Sequence, residues 1–237
     1  MTTEKQYLDN YNAHDYDVPL LTVDMGIFSI IDRTLNILLV RRKEHPAKNV
    51  LALPGGFVNL KVDQDIEHTA LRKLRKKTGI ELPYLEQVET IGGKSRDPRG
   101  WSVTILYFAL VDSKEVNNEM LDNASWHPVD EVEGISLAFD HNKLVEKAVK
   151  RLRSKTRYTA LPMKLLPEKF TLTELQNIFE IILSRKLPVK SFRRRMIDAG
   201  AVEATDESKI SGKRSAQLYK SAGINNKYFS FPRPLKE

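Results

Sequence analysis

The stretch TALRKLRKKTGI, residues 69–80, carries Lys73, Lys76 and Lys77. On a helix these are positions i, i+3 and i+4, so three ammonium groups share one face. Such a face can hold a pyrophosphate through charge-assisted hydrogen bonds. It opposes a divalent metal, because hard cations take oxygen ligands. At an effective dielectric constant near 20, each lysine about 4 Å from a dication adds a raw repulsion of roughly 8 kcal/mol. The plainer account of the same residues is a solvated basic surface. Upstream, LPGGF at Leu53–Phe57 brings Gly55 and Gly56, whose backbone can adopt dihedrals other residues avoid. The turn-rich SRDPRGWSV, Ser95–Val103, adds Arg99, which can pair with a phosphate, and Trp101, which can stack on a base or ribose. A polar hairpin tip with an aromatic lid explains both residues as well, and Arg42, after the strand-like LLV, divides the same way. Arg42, Gly55, Gly56, Lys73, Lys76, Lys77, Arg99 and Trp101 are thus the candidates for a site that takes an anionic ligand. Asp140, in AFDH, reads as a helix N-cap in preference to a pocket rim.

A second set of charges lies near the C-terminus. In VKSFRRRMIDAG, Lys190, Ser191, Arg193, Arg194 and Arg195 stand beside Phe192 and Met196. An apolar face for docking and arginine forks for guanine edges or phosphates is what a major-groove helix requires. Lys213 and Arg214, beside Gly212, can reach the adjacent backbone as a wing. Residues 151–237 hold 19 Lys and Arg against 8 Asp and Glu, a net +11, which leaves 19 against 23, or −4, for the first 150. Charge so divided points to a polyanion as partner of one part only. No aromatic residues interleave with the basic ones as an RNA-stacking platform would need, so double-stranded DNA is the expected partner.

The elements that must position these groups follow from patterning. Leu20–Ile31 and Ile37–Val40 are apolar, β-branched runs around DRTLN, a hairpin. Val50–Leu53 is a third strand, broken by Pro54-Gly55-Gly56. Ile66, Ala70, Leu71 and Leu74 recur at helical spacing across 65–78, with Asp63 or Asp65 as N-cap and Gly79 as left-handed stop. Strands are expected at Glu86–Gly92, Val103–Leu110 and Asn123–Val129. A helix from His141 carries Leu144, Val145, Ala148 and Leu152 on one stripe. Beyond the proline-punctuated ALPMKLLPEKF, FTLTELQNIFEIILSR opens with a capping box, Thr171 with Glu174, and places Leu175, Ile178, Phe179 and Ile182 on one face. The helix after Pro188 turns Phe192, Met196 and Ile197 inward and stops at Gly200. Short strands AVEATD and AQLYK flank the basic loop ESKISGKRS. Helix, turn, helix and hairpin is the layout of a winged helix-turn-helix. The expected division is 1–155, 156–169 as linker, and 170–237. The chain has no cysteine, which excludes disulfides and thiolate metal sites. No signal-peptide pattern or membrane-length apolar run is present, and a cytoplasmic protein with no membrane partner is expected.

The first set of residues resembles the Nudix box, G-x5-E-x7-R-E-U-x-E-E-x-G-U with U aliphatic. Gly79 and Ile80 anchor it, Arg72 takes the Arg and Leu74 the first U. Lys73, Lys76 and Lys77 then stand at three Glu positions, Gln64 stands at the early Glu, and the spacing from Gly56 is two residues longer. The chain as a whole resembles the Nudix-related transcriptional regulators, the NrtR group, through LLTVD, LPGGFV, LRKL..KTG, RDPRGWSV, LAFDH, FTLTELQ, KSFRRR and LYK. The resemblance implies an α/β fold, a Nudix-like α/β/α sandwich with a mixed sheet followed by a C-terminal winged helix-turn-helix domain. It implies a dimeric repressor of NAD-metabolism genes on an inverted-repeat operator. ADP-ribose or a related nucleotide sugar is then the effector, held in the degenerate pocket and weakening operator binding, with no catalytic residue, metal or cofactor. Two other functions remain open: an active ADP-ribose pyrophosphatase tethered to DNA, and a regulator of the same architecture that senses sugars such as arabinose.

Overall fold

The computed structural model describes residues 3–12, 15–79, 84–112, 123–211, 214–222 and 235. After a short helix α1 (Glu4–Asn10) come β1 (Leu20–Ile31), β2 (Thr34–Arg41), β3 (Leu51–Ala52), β4 (Gly55–Phe57) and α2 (Ile66–Thr78). β5 (Tyr84–Asp97), β6 (Gly100–Leu110), β7 (Ala124–Pro128) and α3 (His141–Tyr158) follow. The hairpin turn is tighter than DRTLN, since Asp32 (φ 48°) and Arg33 (φ 62°) make it alone. β5 and β6 run nearly to each other through GKSRD, which the sequence presents as a loop.

The sheet runs β3-β2-β1-β6-β5, with β4 on β1 and β7 on β2. β1 and β6 are parallel and the remaining pairs antiparallel, so the sheet is mixed. Alternation along β6 divides the core. Ile105, Tyr107 and Ala109 face α2 with Val23, Met25, Ala70 and Leu74. Leu106, Phe108 and Leu110 face α3 with Leu144, Val145, Ala148 and Leu152. β1 and β2 stay paired only from Phe28↔Ile37 to Ile31↔Thr34, after which β4 takes over the edge of β1 and β3 that of β2. A cleft opens where the two strands part.

Asp65 caps α2, accepting the His68 N–H at 2.7 Å, and Gly79 (φ 75°) ends it in the left-handed conformation. Asp140 does not cap α3 through its side chain. Its carboxylate faces back over the cleft to Arg96, with Nε–Oδ2 at 2.8 Å and Nη2–Oδ1 at 2.9 Å, because a bidentate guanidinium is the stronger partner.

Residues 161–165 form a 3-10 turn after α3 whose first three residues are buried, and then come β8 (Lys169–Phe170), α4 (Leu172–Leu183), α5 (Val189–Asp198), β9 (Val202–Ser211) and β10 (Arg214–Ser221). β8, not anticipated, joins β10 and β9 in a separate sheet. The strands absorb most of ESKISGKRS. The expected linker 156–169 contains the last turn of α3, where Thr156 is buried, and the buried Leu161, Pro162 and Met163. The Thr171–Glu174 capping box forms as read. Phe179 and Phe192 pack edge to face with centroids 5.1 Å apart. Ile197 points to solvent, half exposed, since Phe192 and Met196 already fill the α5 contact.

α4 is apolar on two sides. Leu172, Leu175 and Phe179 pack with Phe192, Met196 and Val202. Ile178 and Ile182 enter the core of the α3 side of the first sheet, beside Leu152 and Leu161. Ile182→Ala is therefore expected to lower stability by about 2–5 kcal/mol and to broaden the single cooperative transition, as read by urea unfolding under circular dichroism.

Candidate functional site

The cleft between β1 and β2 has a volume of about 370 Å³, within the range of roughly 300–1,000 Å³ usual for small-molecule sites. Its floor is polar and buried. The Thr104 hydroxyl donates to Asp24 Oδ2 at 2.8 Å. The Leu53 N–H donates to His141 Nδ1 at 2.9 Å, which leaves the proton of a neutral ring on Nε2, 3.9 Å from Asp24 Oδ1. Burial holds the His141 pKa below its ordinary value, with the Asp24 charge pulling the other way. Ser102 Oγ is buried there without a hydrogen-bond partner among the described residues. Gly55 is required because a Cβ would collide with Val23 O and Asp24 Oδ1.

The walls combine cations and rings. Arg42 lies 4.7 Å from the Phe139 centroid and donates Nε–H to Pro46 O at 2.9 Å. Burial, then the neighbouring Arg99 charge, lowers its pKa. Arg99 lies 4.9 Å from Phe57 and 5.9 Å from Phe139, and its Nη2 meets Asp97 Oδ2 at 2.6 Å. That hydrogen bond holds the Asp97 carboxyl below the usual carboxylate range. Phe139 adopts φ 58°, a conformation that costs a non-glycine residue energy and so reflects constraint by its surroundings.

Of the residues singled out by spacing, Arg42, Gly55, Gly56, Lys77 and Arg99 line this cleft. The three lysines do not converge on one point. Lys77 Nζ donates to Asn123 Oδ1 at 3.1 Å. Lys73 reaches towards Gly56, its Nζ 2.9 Å from where a Cβ would sit. It is half-buried without a hydrogen bond or ion pair among the described residues, and desolvation lowers its pKa. Lys76 is exposed and does not line the cleft. Trp101 does not line it either, because strand alternation turns it to the face opposite Ser102, where its ring lies on Gly92. Spacing alone missed Asp24, Arg41, Phe57, Arg96, Ser102, Phe139 and His141. Phe57 and Phe139 were visible inside LPGGF and AFDH, but only as neighbours of other signals.

The box arginine has kept a scaffold role. Arg72 Nε and Nη2 each lie 2.5 Å from Asp63, which also accepts the Asn59 N–H at 2.7 Å and the Thr69 hydroxyl at 2.9 Å. These bonds hold the Asp63 carboxyl far below the usual range and fasten loop 59–65 to α2. No group of three or more His, Cys, Asp and Glu side chains able to hold a metal occurs among the described residues.

On α5, Lys190, Ser191, Arg193 and Arg194 are exposed while Phe192 and Met196 are buried beneath them. Arg193 Nη2 donates to Thr173 Oγ1 at 3.1 Å, which sets the helix against α4. Arg195 differs from the expectation. It is half-buried, its Nη2 donates to Arg157 O at 3.3 Å, and burial lowers its pKa, so it leans on the end of α3. Lys213 lies outside the described residues, as does the side chain of Arg214, which opens β10.

A Nudix-type sandwich with a cationic cleft, joined to a winged helix with a basic second helix, defines a two-domain regulator. Residues 20–151 match the family described as NUDIX domain, and residues 162–221 match the NrtR DNA-binding winged helix domain. The chain belongs to the NrtR family of Nudix-related transcriptional regulators. It is 52% identical to the ADPR responsive transcriptional repressor NtrR of Acinetobacter baylyi, over 99% of this chain and 94% of that protein. Shewanella oneidensis NrtR, in its crystal structure with a 27mer DNA, superposes with a TM-score of 0.84 at 40% identity, covering 91% of this chain and 99% of that one. The NUDIX domain of the same protein in complex with ADP ribose gives 0.56 at 42% identity, covering 63% and 99%. An ADP-ribose pyrophosphatase of Methanocaldococcus jannaschii is 30% identical over 60% of this chain and 79% of its own length. No helix among the described residues is long and apolar enough to cross a membrane.

Because the folded-state pKa of His141 is depressed, its contribution to stability is present above the unfolded value of about 6.5 and is lost as the pH falls below it. Urea unfolding between about pH 5 and 7 is expected to show that loss, and His141→Gln to flatten it.

Proposed function

We propose that this chain is an ADP-ribose-responsive transcriptional repressor that acts as a cytoplasmic homodimer on an inverted-repeat operator controlling NAD metabolism. The observation that carries the reading is the 52% identity to the Acinetobacter baylyi ADPR responsive repressor, which extends across both domains. The geometry supports it. Exposed Arg194 and Lys190 beside buried Phe192 and Met196 suit α5 to the major groove. Phe57 and Phe139 with Arg42 and Arg99 offer flat, cationic walls to a base and a diphosphate, and Asp24, Ser102 and His141 offer a polar floor to ribose hydroxyls.

The chain is not a hydrolase on this reading, because Lys73, Lys76 and Lys77 occupy three of the box positions that supply metal-binding carboxylates in the enzymes. The 30% identity to an ADP-ribose pyrophosphatase favours hydrolysis as the competing reading. Incubation with ADP-ribose and Mg²⁺ or Mn²⁺ separates the two: intact ADP-ribose fits the repressor, and metal-dependent release of AMP would replace it by the enzyme.

Two substitutions test the placement of the sites. Arg194→Ala is expected to weaken operator affinity by about 1–3 kcal/mol, roughly 5- to 150-fold, in a gel-shift titration at fixed salt. Lys77→Glu is expected to lower ADP-ribose affinity by calorimetry while Lys76→Glu, at an exposed position outside the cleft, leaves it nearly unchanged.

A further inference from the structure

Beyond the end of β2, residues 42–50 form a loop closed by the Arg42 N–H on Val50 O (3.0 Å) and the Asn49 N–H on Arg42 O (2.9 Å). Against this loop lies a second cavity of about 500 Å³. It shares Arg41, Arg42, Lys43 and Asn123 with the cleft and extends outward past Lys48 and Ser125. Its described lining contains four cationic residues, Arg41, Arg42, Lys43 and Lys48, and no Asp or Glu.

Both guanidinium groups are preset. Arg41 Nη1 donates to Asn49 O at 2.7 Å. Its backbone is clamped by Asn123 from both sides, the Arg41 N–H to Asn123 O at 2.6 Å and Asn123 Nδ2 to Arg41 O at 2.7 Å. Arg42 is fixed by Pro46 O and by the Phe139 ring. The same Asn123 side chain accepts from Lys77 Nζ, so one residue ties the cleft to the outer cavity. Carboxylates on the cleft side are engaged elsewhere: Asp24 with Thr104 and Asp97 with Arg99. Glu44 lines the cleft but not the outer cavity. Arg41 and Arg42, held in place beside Lys48 with no Asp or Glu in the described lining, are the arrangement that recognises a phosphate.

We infer that the outer cavity is a second anion compartment, continuous with the effector cleft, that takes a phosphomonoester carried by a nucleotide sugar seated in the cleft. The inference rests on the effector reading above and narrows the ligand class. Continuity with the cleft makes the second contact intramolecular, so it acts at a high effective concentration.

Calorimetry on the full chain with ADP-ribose, ADP-ribose 2′-phosphate, ADP-ribose 1″-phosphate and inorganic phosphate tests it. One of the two phosphorylated nucleotides is expected to bind about 10- to 100-fold more tightly than ADP-ribose. Lys48→Gln and Ser125→Glu, outside the inner cleft, should each cancel that gain and leave ADP-ribose affinity unchanged. Equal affinity for the three nucleotides, with ADP-ribose still bound, would overturn the inference alone. So would a gain that survives both substitutions, inorganic phosphate binding as tightly as the phosphorylated nucleotide, or a Lys48→Gln effect confined to DNA. Binding of none of the nucleotides would refute the effector reading and this compartment with it.

Discussion

The arrangement depends on α4 being buried along two sides. Leu175 and Phe179 complete the winged-helix core while Ile178 and Ile182 complete the core beneath β2 and α3. Each side chain contributes about 1.5–3 kcal/mol by leaving water, so swinging the winged helix free would expose apolar surface that nothing else covers. The Arg153 Nε–H adds a bond to Ile182 O at 3.1 Å, which ties the end of α4 to α3. The two domains of one chain therefore present their sites in a defined relation.

α3 spans the two domains. Its N-terminal flank, Phe139 and Asp140, forms the rim of the cleft, and His141 its floor. Its last turn offers Arg157 O to Arg195 of α5. An 18-residue helix spans about 27 Å, so α3 reaches from the rim of the cleft to α5. Arg195, half-buried, is the α5 side chain that meets this end of α3.

The loop and helix around Arg72 show how a scaffold is legible apart from the chemistry it positions. Arg72 with Asp63, the Asp65 cap and the Gly79 stop hold the loop-helix-loop, and the same helix carries Lys73, Lys76 and Lys77. The scaffold was legible because caps and apolar spacing are local properties, as were the α4 capping box and the apolar stripe of α3. The convergence of Lys73, Lys76 and Lys77 was not, since helical spacing gives a common face but not what stands opposite. Gly56, Asn123 and solvent receive the three separately. Trp101 illustrates the same limit in a strand: with a period of two, one residue decides between the cleft and the opposite face. Asp24, Ser102 and His141 come together only through the pairing of β1 with β6 and the return of α3, which are long-range contacts with no short-range signature.

The most direct measurement is fluorescence anisotropy of the full chain on a duplex from its own upstream region, at about 150 mM salt with nonspecific competitor because phosphate contacts dominate nonspecific affinity, titrated with ADP-ribose. Specific binding that weakens by roughly 5- to 150-fold as ADP-ribose saturates the protein, the span of a coupling of about 1–3 kcal/mol, is the expected result. A specific complex indifferent to saturating ADP-ribose would contradict the link between cleft and reading helix, and the absence of any specific complex would contradict the repressor itself.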